Sequence, residues 1–220
     1  MSQSVLITDF KDRTCSFLIK DNRLIEMHTL ESDSKISAIY VGKIKNVLQN
    51  IHAYFVEIAD KEICFLPFSE TENAFCLNRK TNDQLVQGDE ILVQVSKDAL
   101  KTKQASVTCN ISKSSNYFVF TIGNTSLGIS NKLSKSVKTT MREAFLKAGY
   151  MDETGKLLYQ ATSIIPPFGV VVRTDAAKLF EIANQKFLEQ FEKELQEFIA
   201  LLESSQYKAC FQCVYKPNLS

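Results

Sequence analysis

The chain has 220 residues, of which 45% are hydrophobic and 23% are charged, and its formal net charge is +1. This composition predicts a soluble globular chain with one large or two small domains, and it excludes disordered and collagen-like proteins. Only 7 glycines and 4 prolines are present, so no long flexible linker is expected. We therefore expect the parts of the chain to contact one another.

Two observations bear on the cellular location. The longest uncharged apolar stretches, such as residues 168–172, are far shorter than the roughly 20 residues that a membrane-spanning helix needs. Charged residues at Asp9, Lys11, Asp12 and Arg13 interrupt the apolar run that a secretory signal requires. The sequence therefore predicts a cytoplasmic protein.

The 6 cysteines lie mostly among apolar neighbours, which is typical of buried reduced thiols rather than of a disulfide framework. One closely spaced pair, Cys210 and Cys213, has two alternative interpretations. A single CxxC without a second pair or a histidine is a weak indication of zinc, and residues 208–215 alternate as a strand does. Strand packing is the favoured interpretation and metal binding the alternative, so no metal ligand is assigned.

Positive charge is concentrated in the second half of the chain. Residues 113–180 carry 9 Lys and Arg against 4 Asp and Glu, whereas residues 1–112 carry 13 against 15. This excess is compatible with phosphate contacts, and equally with an ordinary solvated surface.

The hydrophobic pattern predicts two groups of elements after a short opening hairpin or meander at residues 4–8, 16–20 and 23–27. The first group is a series of five strands, which suits a small closed barrel. These strands are predicted at residues 39–47, 53–58, 62–67, 90–97 and 105–112.

The second group mixes strands with helices. Strands are predicted at residues 116–122, 127–130 and 168–174, and a first helix at 135–147 should end at Gly149, which accepts the left-handed conformation. A long helix from Ala176 to about Ser204 carries an apolar stripe that predicts core packing. The stripe consists of Phe180, Phe187, Phe191, Leu195, Phe198 and Leu202.

Two places in the pattern could contact nucleic acid. Phe55 and Phe65 lie on successive barrel strands, where a base could stack on them, although aromatic residues on adjacent strands usually fill a barrel. Arg173 and Thr174 follow a buried strand and precede a helix, which suits an anion. The alternative is that Thr174 or Asp175 caps the helix and Arg173 is a surface charge.

Several motifs resemble, in order and spacing, the N-terminal half of the ribonuclease E/G family. The match spans nearly the whole chain, so chance similarity is a poor explanation. The motifs run through residues 39–44, 53–58, 64–67, 88–95, 97–98, 102–105, 116–119, 128–130 and 169–174.

The resemblance implies an α+β fold in four parts. Residues 1–36 would be the opening strands of a ribonuclease-H-like subdomain, and residues 37–112 an inserted OB-type RNA-binding barrel of the ribosomal-protein-S-one type. Residues 113–180 would form an α/β lobe called the 5′ sensor. Residues 181–220 would supply a long helix and a returning strand of the ribonuclease-H-like subdomain.

The resemblance also implies site residues and a partner, single-stranded RNA with a 5′-monophosphate. The family's RNA-contacting residues fall on Phe55, Phe65 and Lys103. Its ligands for the 5′-monophosphate fall on Arg173 and Thr174, with Val119 as a neighbouring wall. A family-like assembly would make the protein a homo-oligomer.

This chain departs from the family pattern in two places. Asn131 and Lys132 stand where the family often has two arginines, so one positive charge is lost, and the segment 151–167 is longer than the usual connection. Either departure could change the entrance to the phosphate pocket.

The family's catalytic features are missing from these residues. Family members cut RNA with paired aspartates that hold Mg²⁺, and no such carboxylate motif occurs here, so no catalytic residue and no cofactor are assigned.

Three functions stay open. The first is the RNA-recognition portion of an endoribonuclease, a hydrolase of RNA processing and decay. The second is a stand-alone, non-catalytic RNA-binding or scaffolding protein. The third is a barrel that binds a protein partner, which buried Phe55 and Phe65 rings would favour.

Overall fold

A computed structural model describes residues 3–10, 13–29, 34–80, 84–160 and 165–217. The chain divides into two units, one made of Met1–Lys35 with Pro217–Ser220 and the other of Ile36–Lys216. Among the described residues, no helix combines the length and apolar composition needed to cross a membrane.

The first unit contains an antiparallel meander, as the sequence predicts. Its strands are β1 (Gln3–Phe10), β2 (Arg13–Lys20) and β3 (Arg23–Thr29), in the order β1-β2-β3. Asp21 and Asn22 form the turn between β2 and β3 with φ values of 48° and 61°. Aspartate and asparagine tolerate this left-handed region better than other non-glycine residues, which explains the tight turn.

The second unit begins with a closed five-stranded barrel. Its strands are β4 (Ile39–Leu48), β5 (Ala53–Ala59), β6 (Glu62–Pro67), β7 (Glu90–Lys97) and β8 (Ser106–Thr108). All neighbouring strands are antiparallel except β6 and β8, and pairing of β4 with β7 closes the barrel. The barrel interior is mainly aliphatic and fully buried, with Val56, Ile58, Leu66 and Val93 at 0% exposure.

The predicted strand at residues 105–112 is wrong as a single element, because the chain leaves the barrel partway along it. β8 stays in the barrel, and a separate strand, β9 (Ser112–Ser114), joins a second sheet. The Gln94 side chain hydrogen-bonds the backbone where the chain passes from the barrel to the second sheet. Its amide donates to the Ser112 carbonyl at 2.8 Å and accepts from the Ser112 N–H at 2.9 Å. Unbroken apolar alternation concealed this break.

A mixed four-stranded sheet and, among the described residues, three α-helices follow the barrel. Besides β9, the sheet contains β10 (Phe118–Ile122), β11 (Leu127–Ile129) and β12 (Phe168–Val172). The strand order is β11-β12-β10-β9, with β11 and β12 parallel. The helices are α1 (Lys135–Ala148), α2 (Ala176–Ile182) and α3 (Asn184–Ser205).

Helix α1 begins at the predicted residue, Lys135, and ends at Ala148, one residue later than predicted. The Ser134 hydroxyl accepts the Val137 N–H at its start. Gly149 ends the helix with φ 77°, and its N–H reaches the Leu146 carbonyl at 3.1 Å. Both ends thus follow from local sequence.

The predicted single helix from residue 176 to 204 is divided at Ala183, which is extended with φ −157° and ψ 92°. The division has a packing reason. In a continuous helix, residues seven apart are separated by roughly 10 Å along the axis. The rings of Phe180 and Phe187 instead lie 5.3 Å apart, edge to face. The bend therefore brings both rings into one aromatic core.

The end of the described chain returns to the barrel. β13 (Cys213–Tyr215) pairs antiparallel with β4 after a turn at residues 209–212. The strand-like interpretation of residues 208–215 is thus confirmed for its last part only. The closed five-stranded barrel and the α+β class agree with the sequence prediction, while the ribonuclease-H-like assignment of residues 1–36 and 181–220 stays a prediction.

Candidate nucleic-acid interface

The hairpin of β5 and β6 has alternating inward and outward positions, and its two phenylalanines occupy outward positions. Tyr54, Val56 and Cys64 are buried in the barrel, whereas the alternating positions Phe55 and Phe65 are half-buried on the outer surface. Phe55 lies directly opposite Phe65, with ring centroids 6.4 Å apart and planes at 61°. The two rings do not fill the barrel, so the core-packing alternative is not what the structure adopts.

Lys103 lies in the turn between β7 and β8 and is exposed. Reciprocal backbone hydrogen bonds with Leu100, of 2.9 and 3.0 Å, fix this turn. Two residues later, the Ala105 carbonyl accepts the Phe65 N–H at 2.8 Å. Chain length holds the Cα atoms of Lys103 and Ala105 within about 7 Å, so the three predicted RNA-contacting residues belong to one region of the barrel surface.

The neighbouring lysines on this surface are engaged in ion pairs. Lys45 lies 3.0 Å from a Glu57 oxygen, and Lys43 lies 3.3 Å from a Glu90 oxygen. The hydrogen bond from Lys45 lowers the pKa of Glu57, with a further contribution from the Lys61 N–H. Both lysine charges near the rings are thereby balanced.

The second candidate site is built at the carboxyl end of β12. Arg173 continues the β10–β12 ladder, since its N–H donates to the Tyr117 carbonyl at 2.7 Å. Its guanidinium donates to the Ser115 carbonyl, also at 2.7 Å, which anchors one arm of an otherwise exposed side chain. A guanidinium has five N–H donors, so donors remain for an anion.

Val119 lies on the strand that pairs with β12, and Thr174 follows Arg173 in the chain. Val119 is opposite Val171 on the sheet, and Val171 and Arg173 are two residues apart in extended chain, so their side chains share one face. Val171 is 43% exposed, which makes it part of the same wall. The structure brings the three predicted phosphate-site residues to one end of the sheet.

Ser130 is a residue of this site to which the sequence analysis assigned no role. Its hydroxyl lies 3.3 Å from the Thr174 hydroxyl, because β11 and β12 run parallel and end together. The Lys132 N–H approaches the same Ser130 oxygen at 3.4 Å, so the exposed lysine belongs to this turn. Ser130 belongs to the 128–130 motif that resembles the family, and this membership was the sequence signal for a role in the site.

The helix that follows does not use Asp175 as a side-chain cap. Asp175 is helical in conformation and makes no capping hydrogen bond, while the Lys178 ammonium lies 3.3 Å from its carboxylate. The capping alternative for Asp175 is therefore wrong. Since α2 has only 7 residues, we assign no anion site to its N-terminus.

The segment 151–167, which the resemblance predicts to be longer than the family's usual connection, begins at the opposite end of β11 from Ser130. The Leu127 N–H bonds to the Gly155 carbonyl and the Leu157 N–H to the Thr125 carbonyl, each at 2.8 Å. Asp152 closes the turn by accepting from Thr154 and Lys156, and the Thr154 hydrogen bond is the main cause of its lowered pKa. A three-residue strand, about 10 Å long, separates this turn from Ser130. Residues 161–164 lie outside the described residues.

Cys210 lies in the turn before β13, and Cys213 is the first residue of that strand. Cys210 is half-buried, Cys213 is exposed, and both are free thiols. Over the described ranges, no group of three or more His, Cys, Asp and Glu side chains could hold a metal ion. Burial, followed by the neighbouring Cys213, raises the pKa of Tyr40 to about 12.

Comparison with known proteins gives a consistent result. No family model matches the chain. Ribonuclease G of Escherichia coli strain K12 is 28% identical over 178 residues, covering 74% of this chain and 36% of that protein. Ribonuclease E of Haemophilus influenzae is 29% identical over 155 residues, covering 66% of this chain and 16% of that protein.

A third relative, ribonuclease E of Buchnera aphidicola, is 27% identical over 154 residues. The chain thus spans about a third of the length of the ribonuclease G relative and about a sixth of the ribonuclease E relatives. Over 66% to 74% of its length the chain is thus similar to ribonucleases E and G, and these similarities support the ribonuclease E/G family.

Proposed function

We propose that this chain is the RNA-recognition part of a ribonuclease E/G-type endoribonuclease acting in RNA processing and decay. The observation that carries the proposal is the pair of half-buried rings, Phe55 and Phe65, facing outward from the barrel 6.4 Å apart. An exposed aromatic pair loses contact with water when a base stacks on it, and such stacking accepts any base. This suits recognition of many single-stranded RNAs.

The barrel provides a rigid support for these rings. Tyr54, Val56 and Leu66 alternate with them and are buried in a closed barrel, so the backbone beneath the rings is fixed. Stacking on a fixed ring costs little conformational entropy on binding. Lys103, exposed beside β8, would contact the RNA backbone as a point charge.

The second part of the proposal is recognition of a 5′-monophosphate at the end of β12. Arg173, anchored by the Ser115 carbonyl, would present its remaining N–H groups to the phosphate, and the Thr174 and Ser130 hydroxyls would donate beside it. Val119 and Val171 would form an apolar wall next to the first nucleotide. The backbone hydrogen bonds of Gly155 and Leu157 hold that part of the segment 151–167 at the other end of β11.

The magnesium ion of the family's catalytic part does not fit the residues at hand. Clustered oxygen ligands are required for such a hard cation, and the described ranges contain no suitable group of carboxylates. We derive no cleavage step from these residues, and we propose that any Mg²⁺-dependent hydrolysis uses groups outside them.

RNA binding is tested by fluorescence anisotropy with a labelled single-stranded RNA bearing a 5′-hydroxyl. Since stacking contributes about 1 to 3 kcal/mol per base, Phe55→Ala should weaken binding roughly 5- to 150-fold. Tyr207→Ala is the matched control, because Tyr207 is an aromatic residue with 82% exposure outside the barrel. Unchanged affinity in a folded Phe55→Ala variant would remove the proposal.

A further inference from the structure

Helix α1 carries a stripe of positive charge on the side that faces away from the core. Lys135, Lys138 and Arg142 are spaced by three and four residues, which places them on one face of a helix. Met141 and Phe145, both at 0% exposure, occupy the face that packs into the core. The three basic residues, which we call the α1 stripe, extend about 10 Å along the helix axis.

The two long helices differ in the sign of their charge. α1 contains four basic residues and one acidic residue, whereas α3 contains two basic and five acidic residues. Lys186 and Lys193 of α3 are therefore interspersed with glutamates, as on an ordinary solvated helix. Within the described part of the chain, no acidic side chain lies within ion-pair distance of the α1 stripe. Its charges are thus not balanced by the protein.

These charges are unfavourable for the helix itself. Lys135 is the first residue of α1, and the first turn contains no acidic residue. Positive charge near a helix N-terminus opposes the helix dipole. Like charges three and four residues apart also repel one another. Residues that act against local stability are expected mainly at functional sites, so the α1 stripe is a candidate for binding an anionic partner.

The α1 stripe begins beside the proposed 5′-phosphate site. The Leu133 N–H donates to the Ser130 carbonyl at 3.1 Å, and a turn of this kind keeps the two Cα atoms within about 7 Å. α1 starts two residues later. At the other end of the stripe, a Cβ atom added to Gly155 would lie 2.9 Å from Arg142 Nη2. The stripe therefore runs from the Ser130 end of β11 towards the turn at its opposite end.

Two anionic macromolecules could bind such a stripe, an RNA backbone or a lipid surface. A helix that lies on a membrane inserts an apolar face into it. α1, which is described throughout, buries its apolar face inside the protein, and Leu146, at 39% exposure, is its one exposed large apolar residue. The observations therefore favour RNA.

We propose that the α1 stripe binds backbone phosphates of the RNA whose 5′ end lies at Arg173. The inference rests on the proposed RNA binding and adds to it a contact surface outside the barrel and the terminal-phosphate site. Contacts from lysine and arginine to phosphates carry no base information, so this surface adds affinity without adding sequence preference.

The test uses a 5′-monophosphorylated single-stranded RNA longer than the roughly 16 nucleotides that one barrel can cover. Its affinity is measured by fluorescence anisotropy from about 50 to 200 mM KCl. For single strands, log K falls with log salt concentration by about 0.7 per phosphate contact. The triple variant Lys135→Gln, Lys138→Gln, Arg142→Gln should therefore flatten the slope by about 2, and should weaken binding at the lowest salt by about tenfold or more.

The matched control is the triple variant Lys186→Gln, Lys193→Gln, Lys208→Gln, which removes the same charge from exposed positions outside α1. It should keep the wild-type slope. The melting temperature of the α1 variant should equal or exceed that of the wild type, because the removed charges oppose the helix dipole and repel one another. A clear loss of thermal stability would mean that these charges support the helix, which contradicts the inference.

The outcomes separate this inference from the proposed function. If wild type binds no RNA, both fail together. If Phe55→Ala weakens binding but the α1 variant keeps the wild-type slope, or the control flattens it equally, only the inference is overturned. Vesicles of phosphatidylcholine with phosphatidylserine test the lipid alternative. Loss of vesicle binding without loss of RNA binding in the α1 variant would overturn the inference in favour of a membrane.

Discussion

The barrel and the second sheet use phenylalanine in opposite ways. The barrel keeps an aliphatic interior and turns Phe55 and Phe65 outward, whereas the second sheet places its phenylalanines inside, against helices α1 and α3. Phe120, for example, stacks on Phe198 at 5.5 Å and is 1% exposed. The residue type alone therefore does not distinguish a core position from a surface position.

The difference follows from what covers each sheet. A closed five-stranded barrel has a narrow interior, and here branched aliphatic side chains fill most of it together with the Tyr54 ring. An open four-stranded sheet needs a second layer, and α3 supplies one with a stripe of Phe187, Phe191 and Phe198. Aromatic rings fill the wider space between a sheet and a helix.

The largest predicted effect that tests this comparison is on the free energy of unfolding. Phe120→Ala removes a buried ring and should lower the free energy of unfolding by about 3 to 5 kcal/mol. Phe55→Ala removes a half-buried ring from the barrel surface and should cost about 1 kcal/mol or less. Urea unfolding of both variants measures the difference. Equal losses would contradict the distinction between core and surface phenylalanines.

The next effect concerns the phosphate site of the second sheet. Charge-assisted hydrogen bonds contribute roughly 1.5 to 3 kcal/mol each, so Arg173→Ala should reduce the preference for 5′-monophosphate over 5′-hydroxyl RNA by about tenfold or more. Binding of the 5′-hydroxyl RNA should not change, because that contact is made by the barrel. Anisotropy titrations with one oligonucleotide in both forms provide the measurement. Equal affinity of the wild type for both forms would show that the site binds no phosphate.

The smallest effect is the pH dependence of a barrel ion pair. Asp89 is 2% exposed and accepts hydrogen bonds from Arg79, at 2.5 Å and 2.7 Å, and from the Val86 N–H at 2.8 Å. The Arg79 hydrogen bonds hold the pKa of Asp89 below its usual 3.8. A lowered carboxyl pKa contributes stability above the unfolded value, and this contribution disappears as the pH falls through the folded value.

Arg79→Met should therefore destabilise the protein near neutral pH by about 1 kcal/mol, a modest figure because the arginine is partly exposed to solvent. The difference between wild type and variant should shrink as the pH falls below about 4. Urea unfolding at pH 7 and at several acidic values gives this difference. A gap that stays constant across this range would mean that the ion pair does not stabilise the fold.

Local sequence determined the elements whose ends and faces depend on near neighbours. Ser134 and Gly149 bound α1 because capping is local, and α3 buries Phe187, Phe191 and Phe198 because their spacing follows the helical period. The sequence also contained a signal for the outward orientation of Phe55. In a strand, Phe55 lies on the same face as the charged Glu57, whereas Tyr54 and Val56 lie on the other face.

Only the tertiary structure decided where these elements are interrupted and which residues meet. The strand at 105–112 divides because its last residue, Ser112, begins β9, which pairs with β10. The helix divides at Ala183, which brings Phe180 to Phe187. Ser130 meets Thr174 because β11 and β12, which are far apart in the chain, pair side by side. Periodicity gives the face on which a side chain lies, but register and layer packing determine its neighbours.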